Sequence, residues 1–180
     1  MNQTRISVFL DGSNFFFMQK DALGWFCDPK KILDYIESYG TIVDAFYYIG
    51  TEGPSAVKQD AFLRALPQMG YSLVTKPIKT MFDASSGKKI RKSNLDIEIA
   101  LDMFNTIDNY DKAVLISGDG DFERALRLLK ARGKQFLVVA TEQFVARELR
   151  DVAGRHFIDL ANIREHVEKA HRSYSDNDEE

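Results

Sequence analysis

Short apolar runs of strand length recur along this chain, each followed by a longer segment of helical period, and few folds accommodate that alternation. Residues 5–10 (RISVFL), 41–49 (TIVDAFYYI), 71–75 (YSLVT), 112–116 (KAVLI) and 135–140 (QFLVVA) read as strands, and 156–159 (HFID) as a sixth. Asp28-Pro29 reads as an N-cap with Pro in the first helical position, opening a helix to about Ser38. Further helices are expected over 56–69 despite Pro67, over 94–105, over 122–132 with a stop at Gly133, over 143–151 and over 161–171. The helix over 94–105 is apolar on most of its faces and is expected to be buried. The polar, basic stretch 77–92 reads as a loop or a small hairpin. Nearly continuous apolar strands alternating with helices belong to a parallel sheet covered on both faces. The expected fold class is α/β, a doubly wound, mostly parallel sheet.

A chain of 180 residues suits one domain, expected over 1–172, since two halves would each have a meagre core. The final eight residues, SYSDNDEE, hold four acids and no base, so the formal charge of −3 conceals a body at +1 and an acidic tail over 173–180. Without an aliphatic residue to bury, that tail is expected to be disordered. No apolar run reaches the roughly 20 residues that span a bilayer. The opening MNQTRISVFL lacks the basic region and small-residue cleavage site of a signal peptide. Cys27 stands alone and can form neither an internal disulfide nor a multi-thiolate zinc site, which suits a reducing, cytoplasmic setting.

Doubly wound sheets bind ligands beyond the carboxyl ends of their strands, where strand order reverses. In the order 3-2-1-4-5 that point lies between the first and fourth strands. The first strand ends in Leu10-Asp11-Gly12-Ser13-Asn14 and the fourth in Ser117-Gly118-Asp119-Gly120-Asp121-Phe122, while Asp96 begins the helix feeding the fourth. Four carboxylates converging there, with no Lys or Arg between them, would repel one another. A divalent cation relieves that repulsion, and ligation by oxygen alone favours Mg²⁺ or Mn²⁺ over zinc. Such a metal activates water and neutralises charge developing on a phosphate. Asn14 and Ser117 are placed to orient a carboxylate or a water.

Each residue also has a plainer structural reading. Asp119 or Asp121 can cap the following helix, and Asp11-Gly12 can be turn chemistry. Ser93-x-x-Asp96 has the spacing of a capping box. The joint constellation is more specific than any of its parts. Asp102, six residues after Asp96, stands about 240° away around the helix and is left structural. Phe15-Phe16-Phe17 offers either a base-stacking surface or core packing. His156, His166 and His171 fall late in the chain, the last two on the solvated face of the closing helix. There is no P-loop and no G-x-G-x-x-G, so no nucleotide cofactor is expected. From Lys76 to Lys92 six bases face one acid, Asp83. Lys88, Lys89, Arg91 and Lys92 lead into the helix that carries Asp96, where they can meet phosphates.

Val8-Phe9-Leu10-Asp11-Gly12-Ser13-Asn14 and Leu115-Ile116-Ser117-Gly118-Asp119-Gly120-Asp121-Phe122 closely resemble two signature segments of the NYN domains, the LabA-like branch of the PIN-like ribonucleases. The segment from Asn94 to Asp102 resembles the third, usually a Val-Asp followed by an apolar helix and a second Asp. The similarity runs from about Arg5 to Leu160. It implies a PIN-like α/β/α sandwich, an Mg²⁺ or Mn²⁺ cluster and RNA hydrolysis. It also implies metal-binding, catalytic carboxylates at Asp11, Asp96, Asp119 and Asp121, supported by Asn14 and Ser117. The family often has Lys-Gly-Val-Asp where this chain has Ser93-Asn94-Leu95-Asp96, which moves the basic residue to Lys92. Many members carry an acid just before the position of Phe157, where this chain reads Arg155-His156.

The expected function is a metal-dependent ribonuclease with a four-Asp site. The alternative is a non-catalytic RNA-binding or regulatory module that keeps the fold. An adhesion-type D-x-S-x-S site fits poorly, because Phe15 takes the place of the second serine. A phosphatase would need its second Asp where Ser13 stands. RNA is the expected partner and a membrane is not. A homo-oligomer stays open.

Overall fold

In the computed structural model, which describes residues 3–51, 57–83, 88–92 and 94–170, the sequence alternation becomes one six-stranded sheet. Its central strand, β1 (Arg5–Asp11), is buried from Ile6 onward. β1 is flanked by β2 (Thr41–Thr51) and β6 (Lys112–Ile116). β3 (Ser72–Pro77), β7 (Gln135–Ala140) and β8 (Phe157–Asp159) complete the order β3-β2-β1-β6-β7-β8, and every pairing is parallel. Among the six sheet strands this is the order 3-2-1-4-5-6, with the switch point between β1 and β6 as expected.

Alternation along β1 divides the core in two. Ile6, Val8 and Leu10 join one apolar cluster with Met18, Ile32, Ile36 and Leu66. Phe9 faces the other layer, with Tyr48, Ile99, Met103, Leu126 and Leu129. Asp11 shares the parity of Phe9. Full burial of side chains such as these stabilises by roughly 1.5–3 kcal/mol each before entropy is counted.

Helices α1 (Gly12–Phe17), α2 (Pro29–Ile36) and α3 (Val57–Gln68) follow the first two strands. α1 passes directly into a π-helical stretch, Met18–Leu23, which no regularity of the sequence marks. Asp28 caps α2 by accepting from the Lys30 amide at 2.9 Å, with Pro29 next to it as expected. α4 (Asp96–Asn105), α5 (Glu123–Ala131) and α6 (Arg147–Ala153) surround β6 and β7, and the short α7 (Arg164–Val167) closes the described chain. Beyond α5, Gly133 takes a left-handed φ of 75°, which suits a glycine stop.

The basic stretch forms an antiparallel hairpin, β4 (Lys79–Asp83) paired with β5 (Lys88–Lys92). Two expectations are corrected. α4 is buried on one side only: Ile99 and Met103 are fully enclosed, whereas Ile97 and Leu101 are 69% and 62% exposed. The helix lies on the outer layer of a three-layer fold, so one stripe suffices to hold it. The closing helix is shorter than 161–171, because a 3₁₀ turn over Leu160–Ile163 precedes it. The tail over 173–180 lies outside the described residues.

Candidate metal centre

The loops after β1 and β6 are hydrogen-bonded to each other. Asp11 caps α1, its Oδ1 accepting from the Asn14 amide at 3.1 Å. Its Oδ2 accepts from Ser117 Oγ at 3.2 Å. Ser117, fully buried, in turn accepts from the Asp119 amide at 3.2 Å. Asn14 Oδ1 accepts from the Gly118 amide at 2.8 Å. The two residues expected in support therefore hold the two acidic loops in register. Asn14 spends its carbonyl on backbone, and Ser117 bridges Asp11 to Asp119.

Gly12 makes the first loop feasible. A Cβ there would stand 2.5 Å from both Tyr47 Cε1 and the Tyr48 carbonyl oxygen. Only glycine lets α1 begin this close to β2, directly after Asp11. Gly120 is confined less firmly, since an added Cβ would meet the side chain of Glu148, which is flexible and exposed and can move aside. Nothing in the spacing of the sequence marks Glu148, an exposed acid on α6, as a neighbour of the second loop.

Asp96, Asp119 and Asp121 each present a carboxylate oxygen within 4.8 Å of the others. Asp96 and Asp119 are half-buried and Asp121 is exposed. Asp119 also caps the 3₁₀ turn Gly120–Phe122, its Oδ1 accepting from the Asp121 amide at 3.0 Å. Capping and clustering thus coexist at Asp119. Asp96 is the first residue of α4, and its amide donates to Asn94 Oδ1 at 2.8 Å. Ser93 itself lies outside the described residues.

Asp11 stands behind this triad, 7% exposed. Burial pushes its carboxyl up to about 6, and the charges of Asp96 and Asp119 push the same way, against the hydrogen bonds from Asn14 and Ser117. Clustered negative charge of this kind is what a divalent cation relieves. The donor set of three clustered carboxylates, oxygen only, fits Mg²⁺ or Mn²⁺. Asp102 is directed elsewhere, accepting from Tyr48 Oη at 3.0 Å, in keeping with its structural reading.

The basic residues divide. Lys76 Nζ is engaged with Glu98 Oε1 at 2.6 Å and the Asn94 carbonyl at 3.0 Å, beside the start of α4. Lys88, Lys89, Arg91 and Lys92 all belong to β5, which ends four residues before Asp96. Cys27 is buried and free, its thiol pushed up to about 12 by burial. Among the described residues no helix is long and apolar enough to cross a membrane.

The family model described as NYN domain matches residues 5–161. The chain belongs to the NYN domain family. It is 44% identical over 172 residues to the low amplitude and bright protein LabA of Synechococcus elongatus, covering 94% of this chain and 90% of that protein. An uncharacterised protein of Methanocaldococcus jannaschii is 24% identical over 151 residues, which are 83% of this chain and 52% of the relative. A crystal structure of a protein of unknown function from Vibrio parahaemolyticus superposes with a TM-score of 0.76 at 22% identity, covering 88% of this chain and 94% of that one. That likeness supports the PIN-like α/β/α fold. NYN domains are generally hydrolytic nucleases, and this member has the acidic cluster such chemistry needs.

Proposed function

We propose that this NYN domain is a ribonuclease that hydrolyses RNA phosphodiester bonds with Mg²⁺ or Mn²⁺ bound at Asp11, Asp96, Asp119 and Asp121. The observation that carries the reading is the convergence of three carboxylates within 4.8 Å at the switch point, with a fourth recessed behind them. When bound, the metal supplies an activated water and neutralises charge on the phosphate under attack.

The residues of the chain have separate tasks. Asp96 on α4 and Asp119 and Asp121 after β6 would hold the ion, with Asp11 completing the set from behind them. Asp11 supplies the buried negative charge that draws a cation inward, and Ser117 fixes the direction of its Oδ2. Asn14 clamps the second loop through Gly118, so the carboxylates keep their spacing when substrate arrives. Preorganisation of this kind avoids reorganisation during the reaction. Lys88, Lys89, Arg91 and Lys92 on β5 supply cations for the phosphate chain, which the carboxylates alone would repel. Cytoplasmic RNA suits a chain whose single thiol is buried and reduced.

The test is cleavage of labelled RNA in Mg²⁺ or Mn²⁺, in EDTA, and with Asp119→Asn. Cleavage should require metal and should be lost with Asp119→Asn. RNA cut equally well in EDTA would refute the reading, while tight metal-independent binding without cleavage would assign the chain to the alternative, a non-catalytic RNA-binding module.

A further inference from the structure

On the other side of the Asp11–Asn14 loop lies a cavity of about 660 Å³. Its lining begins at Gly12 and Ser13, immediately after Asp11, and includes Phe16, Phe17, Phe26 and Tyr47. Phe16, Phe17 and Phe26 are 47%, 48% and 47% exposed. Such exposure is unusual for three large apolar side chains close together. The Phe16 ring centroid lies 5.5 Å from that of Phe17 and 6.1 Å from that of Phe26, so the three form one aromatic wall.

Tyr47 makes this more than an apolar patch. It is only 4% exposed, its ring is wedged edge-on between Phe62 and Tyr71, and its hydroxyl hydrogen-bonds to no described residue. Tyr47 lines the cavity, and its hydroxyl oxygen is not one of the fully buried unpartnered polar atoms, so it stays open to an occupant there. An occupant therefore needs a flat face for the phenylalanines and a polar edge for the phenol. At the rim, exposed Lys169 adds a cation suited to a phosphate. The volume falls within the range of small-molecule sites.

We propose that this cavity receives an unpaired base of the RNA strand, stacked on the phenylalanine wall and hydrogen-bonded at its edge by Tyr47 Oη. The inference rests on the nuclease reading and adds to it a subsite for one base beside the carboxylates. Asp11 belongs to one face of the sheet and Tyr47 to the other, with Gly12 between them. A strand whose phosphate sits at the carboxylates crosses the carboxyl edge of the sheet there and leaves a neighbouring base in the cavity. Base stacking on aromatic side chains is sequence-tolerant, so the site selects for an unpaired base more than for its identity.

The experiment measures binding of three probes to the full chain carrying Asp119→Asn, which blocks cleavage. The probes are a single-stranded oligoribonucleotide containing 2-aminopurine, its abasic counterpart and a duplex of equal length. Phe16→Leu with Phe17→Leu should weaken single-strand binding roughly 5- to 150-fold, the range expected from losing one stacked base, and abolish 2-aminopurine quenching. Duplex and abasic strands should bind the parent and this variant alike. Tyr47→Phe, which keeps the ring packing, should also weaken the single strand. Equal single-strand affinity in both variants, with cleavage by the unchanged chain intact, would overturn the base site and leave the nuclease reading standing. No RNA binding or cleavage by the unchanged chain would overturn both. A dimer of the unchanged chain that dissociates on Phe16→Ser with Phe17→Ser, with RNA affinity unaltered, would give the face to a second copy and overturn the proposal.

Discussion

Asp11→Asn separates the electrostatic role of the recessed carboxylate from its role in holding the loop. Burial and then the neighbouring acids raise the Asp11 carboxyl from 3.8 to about 6 in the folded, metal-free chain. Because the folded value lies above the unfolded one, the folded state binds the extra proton between these values. The stability this confers is complete below pH 4 and is lost as pH rises from about 4 to about 6. At about 1.4 kcal/mol per pH unit, ionised Asp11 costs the metal-free fold about 3 kcal/mol above pH 6.

The amide in Asp11→Asn carries no charge and removes that cost. Its oxygen still accepts from the Asn14 amide, so the α1 cap survives. Its NH₂ cannot accept from Ser117 Oγ, and the lost hydrogen bond costs about 1 kcal/mol. The variant in EDTA should therefore be about 2 kcal/mol more stable than the parent at pH 7.5, a rise of roughly 4–8 °C in Tm for a chain of this size. Below pH 4 the difference should vanish or reverse. Millimolar Mn²⁺ should stabilise the parent by mass action and the variant much less. The assay is thermal or urea denaturation followed by circular dichroism at several pH values, with and without EDTA. A variant less stable than the parent at pH 7.5 in EDTA, or a difference independent of pH, would refute the electrostatic argument.

The other expectations follow from contacts at the same edge. Gly12→Ala places a methyl 2.5 Å from Tyr47 and the Tyr48 carbonyl, which should cost roughly 1–3 kcal/mol and weaken Mn²⁺ binding by displacing Asp11; calorimetry reads both, and an unchanged Tm would contradict the close approach. Asp119→Ala should lose roughly 0.5–2 kcal/mol in EDTA because the Asp121 amide loses its acceptor, whereas Asp119→Asn keeps the cap; equal melts for the two would assign Asp119 no capping role. Replacing Lys88, Lys89, Arg91 and Lys92 with Ala should weaken RNA binding similarly across sequences and flatten its salt dependence while the fold survives. An unchanged salt slope in filter-binding titrations would route the RNA elsewhere.

The strand order and the meeting of the candidate site's loops were legible in the sequence because both follow from short-range regularities. Apolar runs such as KAVLI at 112–116 and QFLVVA at 135–140 can be buried on both faces only in a parallel sheet, and they coincide with β6 and β7. Parallel strands joined through helices put their carboxyl ends on one edge, so Asp11 and the Ser117–Asp121 loop had to meet there. The caps at Asp28 and Gly133 depend on a few adjacent residues and were equally readable.

What tertiary structure alone decided concerns side chains brought together from distant positions. The sequence treats the four acids as equals, yet packing recesses Asp11 against Ser117 and groups Asp96, Asp119 and Asp121 within 4.8 Å. Hydropathy marked 94–105 as buried, but which stripe of α4 meets Phe9 and Tyr48 depends on the layer above it, so Ile97 and Leu101 stay exposed. Phe15, Phe16 and Phe17 are identical side chains that all line the cavity wall, and only the turn of α1 buries the first and leaves the other two half-exposed. That wall is completed by Phe26 and Lys169, residues at opposite ends of the chain. Period and propensity report each residue's relation to neighbours a few positions away, whereas distances between carboxylates and the shape of a cavity are set by contacts far apart in sequence.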